Sequence, residues 1–131
     1  ALEHLAEHKQ INASEIKLPV AVRGRSISFS GPASQAERLL DQGCSHAALA
    51  RAVEICIARS LIAAVRNLSD QQGPYQGLLA VGGVMGNKTI RAMLAGELKG
   101  WKVYFADSSY ASDNAVGLAV QARRLFFSCR G

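Results

Sequence analysis

The sequence predicts an α/β fold, a mixed sheet flanked by helices, and three observations carry that expectation. The second half reads as strand, glycine-rich loop, helix, strand, loop and helix. A long stretch from about His46 to Leu68 is apolar at helical spacing around most of its circumference, as befits a helix with partners on more than one side. Ser26 to Ser30 alternates polar and apolar residues, the two-residue period of a half-buried strand. With 131 residues, 49% of them hydrophobic, 19% charged and only 3 prolines, the chain can bury a core. That composition excludes a disordered tail, a collagenous repeat and a disulfide-dense module.

The elements follow in order. Leu2 to Lys9 reads as a short helix, and an irregular stretch with Pro19 and Gly24 leads to the strand at Ser26–Ser30. Gly31-Pro32 is expected to end that strand. Ser34 to Gln42 reads as a helix with Gly43 as its C-terminal cap, and Ser45 is placed to cap the long helix that follows. On that helix Arg51, Glu54, Arg59 and Arg66 share one sector with Ile55 and Ile62, which predicts an exposed apolar face over 46–68 and a homodimer through it. Ser69 to Gly77 is a polar loop. Leu78-Leu79-Ala80-Val81 and Lys102-Val103-Tyr104-Phe105-Ala106 read as strands buried on both faces. Between them lie the glycine turn Gly82–Gly86 and a helix from Asn87 to Lys99, with Gly100 as its cap. After them come a loop, Asp107–Ser112, and a last helix from Asp113 to about Phe127. The chain thus divides into a mainly helical part, 1–70, and a β-α-β-α part, 71–131, within one domain.

A strand, crossover helix and strand of this size form a parallel unit. Ligands of such sheets bind beyond the carboxyl ends of the strands, which points to the Gly82–Gly86 and Asp107–Ser112 loops. The net charge is +5, and the excess lies in the second part, where 7 basic side chains face 3 acidic ones. A mildly positive field suits an anionic ligand such as a nucleotide or an RNA phosphate. Three cysteines (Cys44, Cys56 and Cys129) without a CxxC pattern fit inert thiols in a reducing cytoplasm. The longest apolar tract carries Arg51, Glu54 and Arg59, so no membrane span is expected. The chain opens at Ala1 inside a helical pattern, which suggests a fragment.

Chemistry concentrates in a few places. Gly82-Gly83-Val84-Met85-Gly86-Asn87-Lys88-Thr89 approaches the phosphate-binding pattern G-x-x-x-x-G-K-[ST], but Asn87 stands where that loop needs glycine. The same glycines serve equally well as a tight strand-to-helix turn. Asp113 opens the last helix at the same edge, where it is either a helix cap or a carboxylate ligand for a metal. His4 and His8 have the i, i+4 spacing of a zinc-chelating pair, but no third ligand accompanies them.

Taken together, these segments resemble one family. Ser26-Ile27-Ser28-Phe29-Ser30-Gly31 is similar to its "FSFSG" segment. Val81 to Asn87 followed by Arg91 resembles "AGGVAAN…R", and Lys102-Val103-Tyr104-Phe105 with Ser112-Asp113-Asn114-Ala115 resembles "KVYFP…TDNAAMIA". The family is that of the tRNA threonylcarbamoyladenosine synthase catalytic subunit, TsaD or Gcp, once described as an O-sialoglycoprotein endopeptidase of peptidase class M22. The resemblance implies the C-terminal lobe of an actin, sugar-kinase and heat-shock-ATPase fold, with the N-terminal lobe and its H-x-x-x-H metal motif missing. It implies adenine-nucleotide contacts at Gly82, Gly83 and Asn87, and a metal ligand at Asp113. It further implies transfer of threonylcarbamoyl to tRNA adenosine in the cytoplasm, alongside family partner proteins, with an adenine nucleotide and a divalent metal in the whole protein and neither in an inactive fragment. Pro32-Ala33 after Gly31, Lys88 and Gly117 depart from the family's usual residues. Two alternatives stay open: a non-enzymatic paralogue used for dimerisation or partner binding, and a P-loop nucleotide hydrolase.

Overall fold

The computed structural model describes residues 16–24, 26–73, 75 and 77–107. The expected helices at Leu2–Lys9 and Asp113–Phe127 lie outside them. The chain forms two compact units, one up to residue 74 and one from residue 75. Both α and β elements are present, as the sequence predicts, but the described strands form two separate two-stranded ladders instead of one mixed sheet.

In the first unit, β1 (Val22–Arg23) and β2 (Ser26–Ile27) pair antiparallel across Gly24, whose φ of 59° suits the tight reversal. The strand is shorter than expected because the chain turns into a helix at once. Helix α1 spans Ser30–Asp41 and takes in Gly31 and Pro32, which were expected to end the strand and precede the helix. Pro32 is accepted there because the N–H groups of a first helical turn have no intrahelical partner to lose. The far end closes as the sequence predicts. Gly43 has a φ of 81°, its N–H donates to Leu40 O, and the Cys44 N–H donates to Leu39 O. These are the two bonds of a Schellman cap, and the buried Cys44 packs in one cluster with Leu39.

Helix α2, His46–Gln72, starts at Ser45, whose hydroxyl accepts the Ala48 N–H at 3.3 Å. It runs four residues past Leu68, since nothing in Ser69-Asp70-Gln71-Gln72 breaks a helix before Gly73, with its φ of 91°. The core of this unit gathers Leu49, Ala52 and Cys56 of α2 against Ile16 and Leu18. Full burial of a side chain such as Leu49 stabilises by about 1.5–3 kcal/mol. The segment before the hairpin is held by polar groups of α2. The Ser60 hydroxyl, fully buried, accepts the Ala21 N–H at 3.0 Å and donates to Cys56 O at 2.7 Å. Cys56 Sγ donates to Pro19 O at 3.2 Å, and Asn67 Nδ2 to Gly24 O at 3.0 Å. The exposed apolar face expected on 46–68 is not found, because no large apolar side chain of α2 is exposed. Ile62 is buried and Ile55 half-buried.

In the second unit, β3 (Gly77–Ala80) and β4 (Lys102–Phe105) pair parallel, with Leu78 opposite Val103 and Ala80 opposite Phe105. Helix α3, Lys88–Glu97, connects them and buries Ile90 and Leu94. The parallel crossover is as expected. Burial on both faces is not: Leu79 (66% exposed), Val81 (62%) and Tyr104 (58%) stand open. Alternate residues of a strand point to opposite faces, and α3 covers one of them. Gly77 is required by close approach, since a Cβ there would meet Lys102 O at 2.8 Å.

Candidate functional site

The candidate site is the carboxyl edge of the β3–β4 ladder. Beyond Ala80 the chain passes Val81 and reaches Gly82, whose φ of 104° and ψ of 165° only glycine adopts readily. Among the described residues, chain neighbours aside, no atom lies within 4 Å of a Cβ added at Gly82 or Gly86, so the turn has open space beside it. Gly83–Gly86 form a single 3-10 turn with Met85 buried beneath. The Met85 N–H donates to Gly82 O at 3.0 Å and the Asn87 N–H to Val84 O at 3.1 Å. Those two amides are therefore spent inside the turn. A phosphate-cradling P-loop presents its amides to the ligand instead, and this geometry weighs against that reading.

Asn87 is the N-cap of α3, and its Oδ1 accepts the Ile90 N–H at 3.0 Å. This explains why position 87 carries a side chain where a P-loop needs glycine: the helix takes its cap from it. Lys88, the first helical residue, is exposed. Arg91 follows one turn later, with its N–H donating to Asn87 O at 3.1 Å. Its guanidinium lies over the Phe105 ring, 4.7 Å from the centroid. The Ala106 N–H donates to Ala80 O at 3.0 Å, extending the ladder past Phe105 towards Asp107.

The structure thus brings Gly82, Gly83 and Asn87 together on one turn at the strand ends. Asp113, with His4 and His8, lies outside the described residues. Among the described residues no three His, Cys, Asp or Glu side chains gather as a metal site. Among the described residues the glycine turn leaves room beside its backbone at Gly82 and Gly86. The Arg91–Phe105 contact is not legible in the sequence, although Arg91 and Phe105 each fall in a segment that resembles the family. Two hollows occur in the first unit. One is a cleft of about 370 Å3 between the β1–β2 hairpin and the start of α1. The other is an apolar groove of about 270 Å3 lined by Phe29, Val53 and Ile57. Neither includes a residue that the sequence singled out as a ligand contact.

Comparison with known proteins points to one family. The sequence profile of TsaD, tRNA N6-adenosine threonylcarbamoyltransferase, matches residues 1–120. A tRNA N6-adenosine threonylcarbamoyltransferase of Solidesulfovibrio magneticus is 36% identical over 91% of this chain and 34% of its own length. Proteins of the same description from Thermus thermophilus and Maricaulis maris are each 29% identical, over 94% and 92% of this chain. The chain spans about a third of the length of these relatives (34%, 37% and 36%).

Proposed function

The chain belongs to the TsaD family, tRNA N6-adenosine threonylcarbamoyltransferase, and from that premise we propose that it forms the C-terminal lobe of a protein that binds an adenine nucleotide and a divalent metal and modifies tRNA. The observation that carries this reading is the open Gly82–Asn87 turn at the carboxyl edge of a parallel β-α-β unit. In this reading the turn approaches the nucleotide by its backbone at Gly82 and Gly83, and the Asn87 amide stands at the same edge. Asp113 supplies a carboxylate to the metal, which when bound polarises a carbonyl or phosphoryl oxygen. The group transferred is threonylcarbamoyl and the acceptor is an adenosine of tRNA. A tRNA substrate places the activity in the cytoplasm, in the company of the family's partner proteins. Among the described residues no helix is long and apolar enough to cross a membrane.

The test is a titration of the protein, in the full length in which the cell makes it, with ATP and with manganese. Asp113→Ala should weaken metal binding at least tenfold while circular dichroism and the thermal midpoint stay at the wild-type values. Unchanged metal affinity in that variant counts against the assignment.

A second reading has one observation in its favour. The exposed Leu79, Val81 and Tyr104 form an apolar strip on the open side of the β3–β4 ladder, with Leu79 and Tyr104 directly opposite each other. A non-enzymatic, partner-binding paralogue would use such a strip. That reading expects no ATP binding, and self-association that Leu79→Lys abolishes in light scattering.

A further inference from the structure

We propose that Arg91 is a phosphate-contacting residue of the carboxyl edge, holding the phosphates of the nucleotide there; the proposal rests on the nucleotide reading above and adds to it the group that the site grips. Four observations lead to it. First, the guanidinium carbon lies over the Phe105 ring, 4.7 Å from its centroid, which places the group at the strand ends before any ligand arrives. A guanidinium presents five in-plane N–H donors, a fork suited to two-point contact with a phosphate. Second, Arg91 is half-buried, yet no carboxylate pairs with it among the described residues. A cation partly withdrawn from water favours an incoming anion. Third, the place is right. Phe105 is the last residue of β4, and Arg91 sits one helical turn from Asn87, so the charge lies at the strand ends beside the glycine turn. Fourth, the turn spends its Met85 and Asn87 amides internally, so those two are not offered to a phosphate and a side-chain donor gains importance.

A purely structural stack would look the same in the free protein, so the test separates phosphate from nucleoside. The protein in its full cellular length is titrated calorimetrically with ATP, with adenosine and with unmodified tRNA, for wild type, Arg91→Gln and Arg91→Lys. Arg91→Gln should weaken ATP by roughly ten- to a hundredfold, the worth of a charge-assisted contact, and leave adenosine unchanged. Arg91→Lys, which keeps the charge and loses the fork, should fall between the two. Should Arg91→Gln fail to fold, Arg91→Lys decides alone, with a loss of about threefold or more for ATP only. Equal losses for ATP and adenosine would show that Arg91 only packs, and overturn the proposal. So would an unchanged ATP affinity, or a loss confined to tRNA. Wild type that binds neither ATP nor adenosine brings down the nucleotide reading as well, whereas the other adverse results leave that reading standing.

Discussion

Asn87 carries a structural duty and a proposed functional one, and a single substitution pulls them apart. Its Oδ1 accepts the Ile90 N–H at 3.0 Å, and Ile90 is nearly sealed from solvent at 2% exposure. Asn87→Ala removes the cap and leaves that amide without its acceptor. Loss of an N-cap costs about 1 kcal/mol, and the burial of Ile90 pushes this site towards the upper end, near ~2 kcal/mol. Asn87→Asp keeps an oxygen in the same place, is as good a cap, and adds about 0.3–1 kcal/mol from its charge at a helix N-terminus. For a nucleotide the order reverses. A carboxylate about 5 Å from a phosphate charge, at an effective dielectric constant near 20, opposes binding by about 3 kcal/mol, or roughly a hundredfold in affinity. Urea unfolding and ATP calorimetry on the two variants read both effects. Asn87→Asp should match or exceed wild-type stability and bind ATP far more weakly; Asn87→Ala should lose stability. An Asn87→Asp protein that is stable and binds ATP as wild type does would reduce Asn87 to a helix cap and refute its nucleotide role.

Two further outcomes are expected. Ser60→Ala strands the buried Ala21 N–H, which now donates to the Ser60 hydroxyl, and should destabilise the first unit by about 1–3 kcal/mol in urea unfolding; a neutral result would mean that water or a backbone shift replaces the hydroxyl. Burial pushes the Cys56 thiol above its ordinary pKa, with the neighbouring Ser60 hydroxyl working weakly against the shift. The folded state therefore holds this proton more tightly than the unfolded state does. The stabilisation is complete below the unfolded-state pKa and is lost as pH rises through the folded value. Wild type should thus lose more stability across the alkaline range than Cys56→Ala does, and equal slopes in pH-dependent unfolding would contradict the assignment.

Local codes explain which elements were legible in the sequence. Ser45 before an apolar run and Gly43 after one each act through a bond to a near neighbour, so the residue itself announces the cap. The strand–turn–helix–strand order of residues 77–105 was legible for the same reason, with glycines at the reversals and a change of period between elements. Pro32 misled because proline is unfavourable in a strand and in a helix interior but harmless in a first helical turn, and only the path of the chain at Phe29 settles which applies. The burial of β3 and β4 was over-read. A short apolar run is the same string whether one face or both are covered, and the difference lies in what packs on Leu79 and Tyr104. Nothing in the sequence marks Ser60. Its partner Ala21 is 39 residues away, and no pattern in a single sequence records so distant a bond.

The position of Asn87 decides between two ways of gripping phosphate. A P-loop binds through backbone amides, which is why it demands glycine at the place where Asn87 stands and a lysine immediately after it. Here the two turn amides at Met85 and Asn87 close a 3-10 turn, and the Asn87 side chain closes the start of α3. Lys88 follows as the pattern asks, and it is exposed. A turn closed in this way gives up those two amides for recognition. What it leaves for a ligand is the open backbone at Gly82 and a side chain brought in from the helix behind. Arg91, stacked on the last residue of β4, is the cation so placed. On the proposed reading the glycines serve approach and the arginine serves charge, a division of labour that removal of Lys88 should leave nearly intact and removal of Arg91 should not.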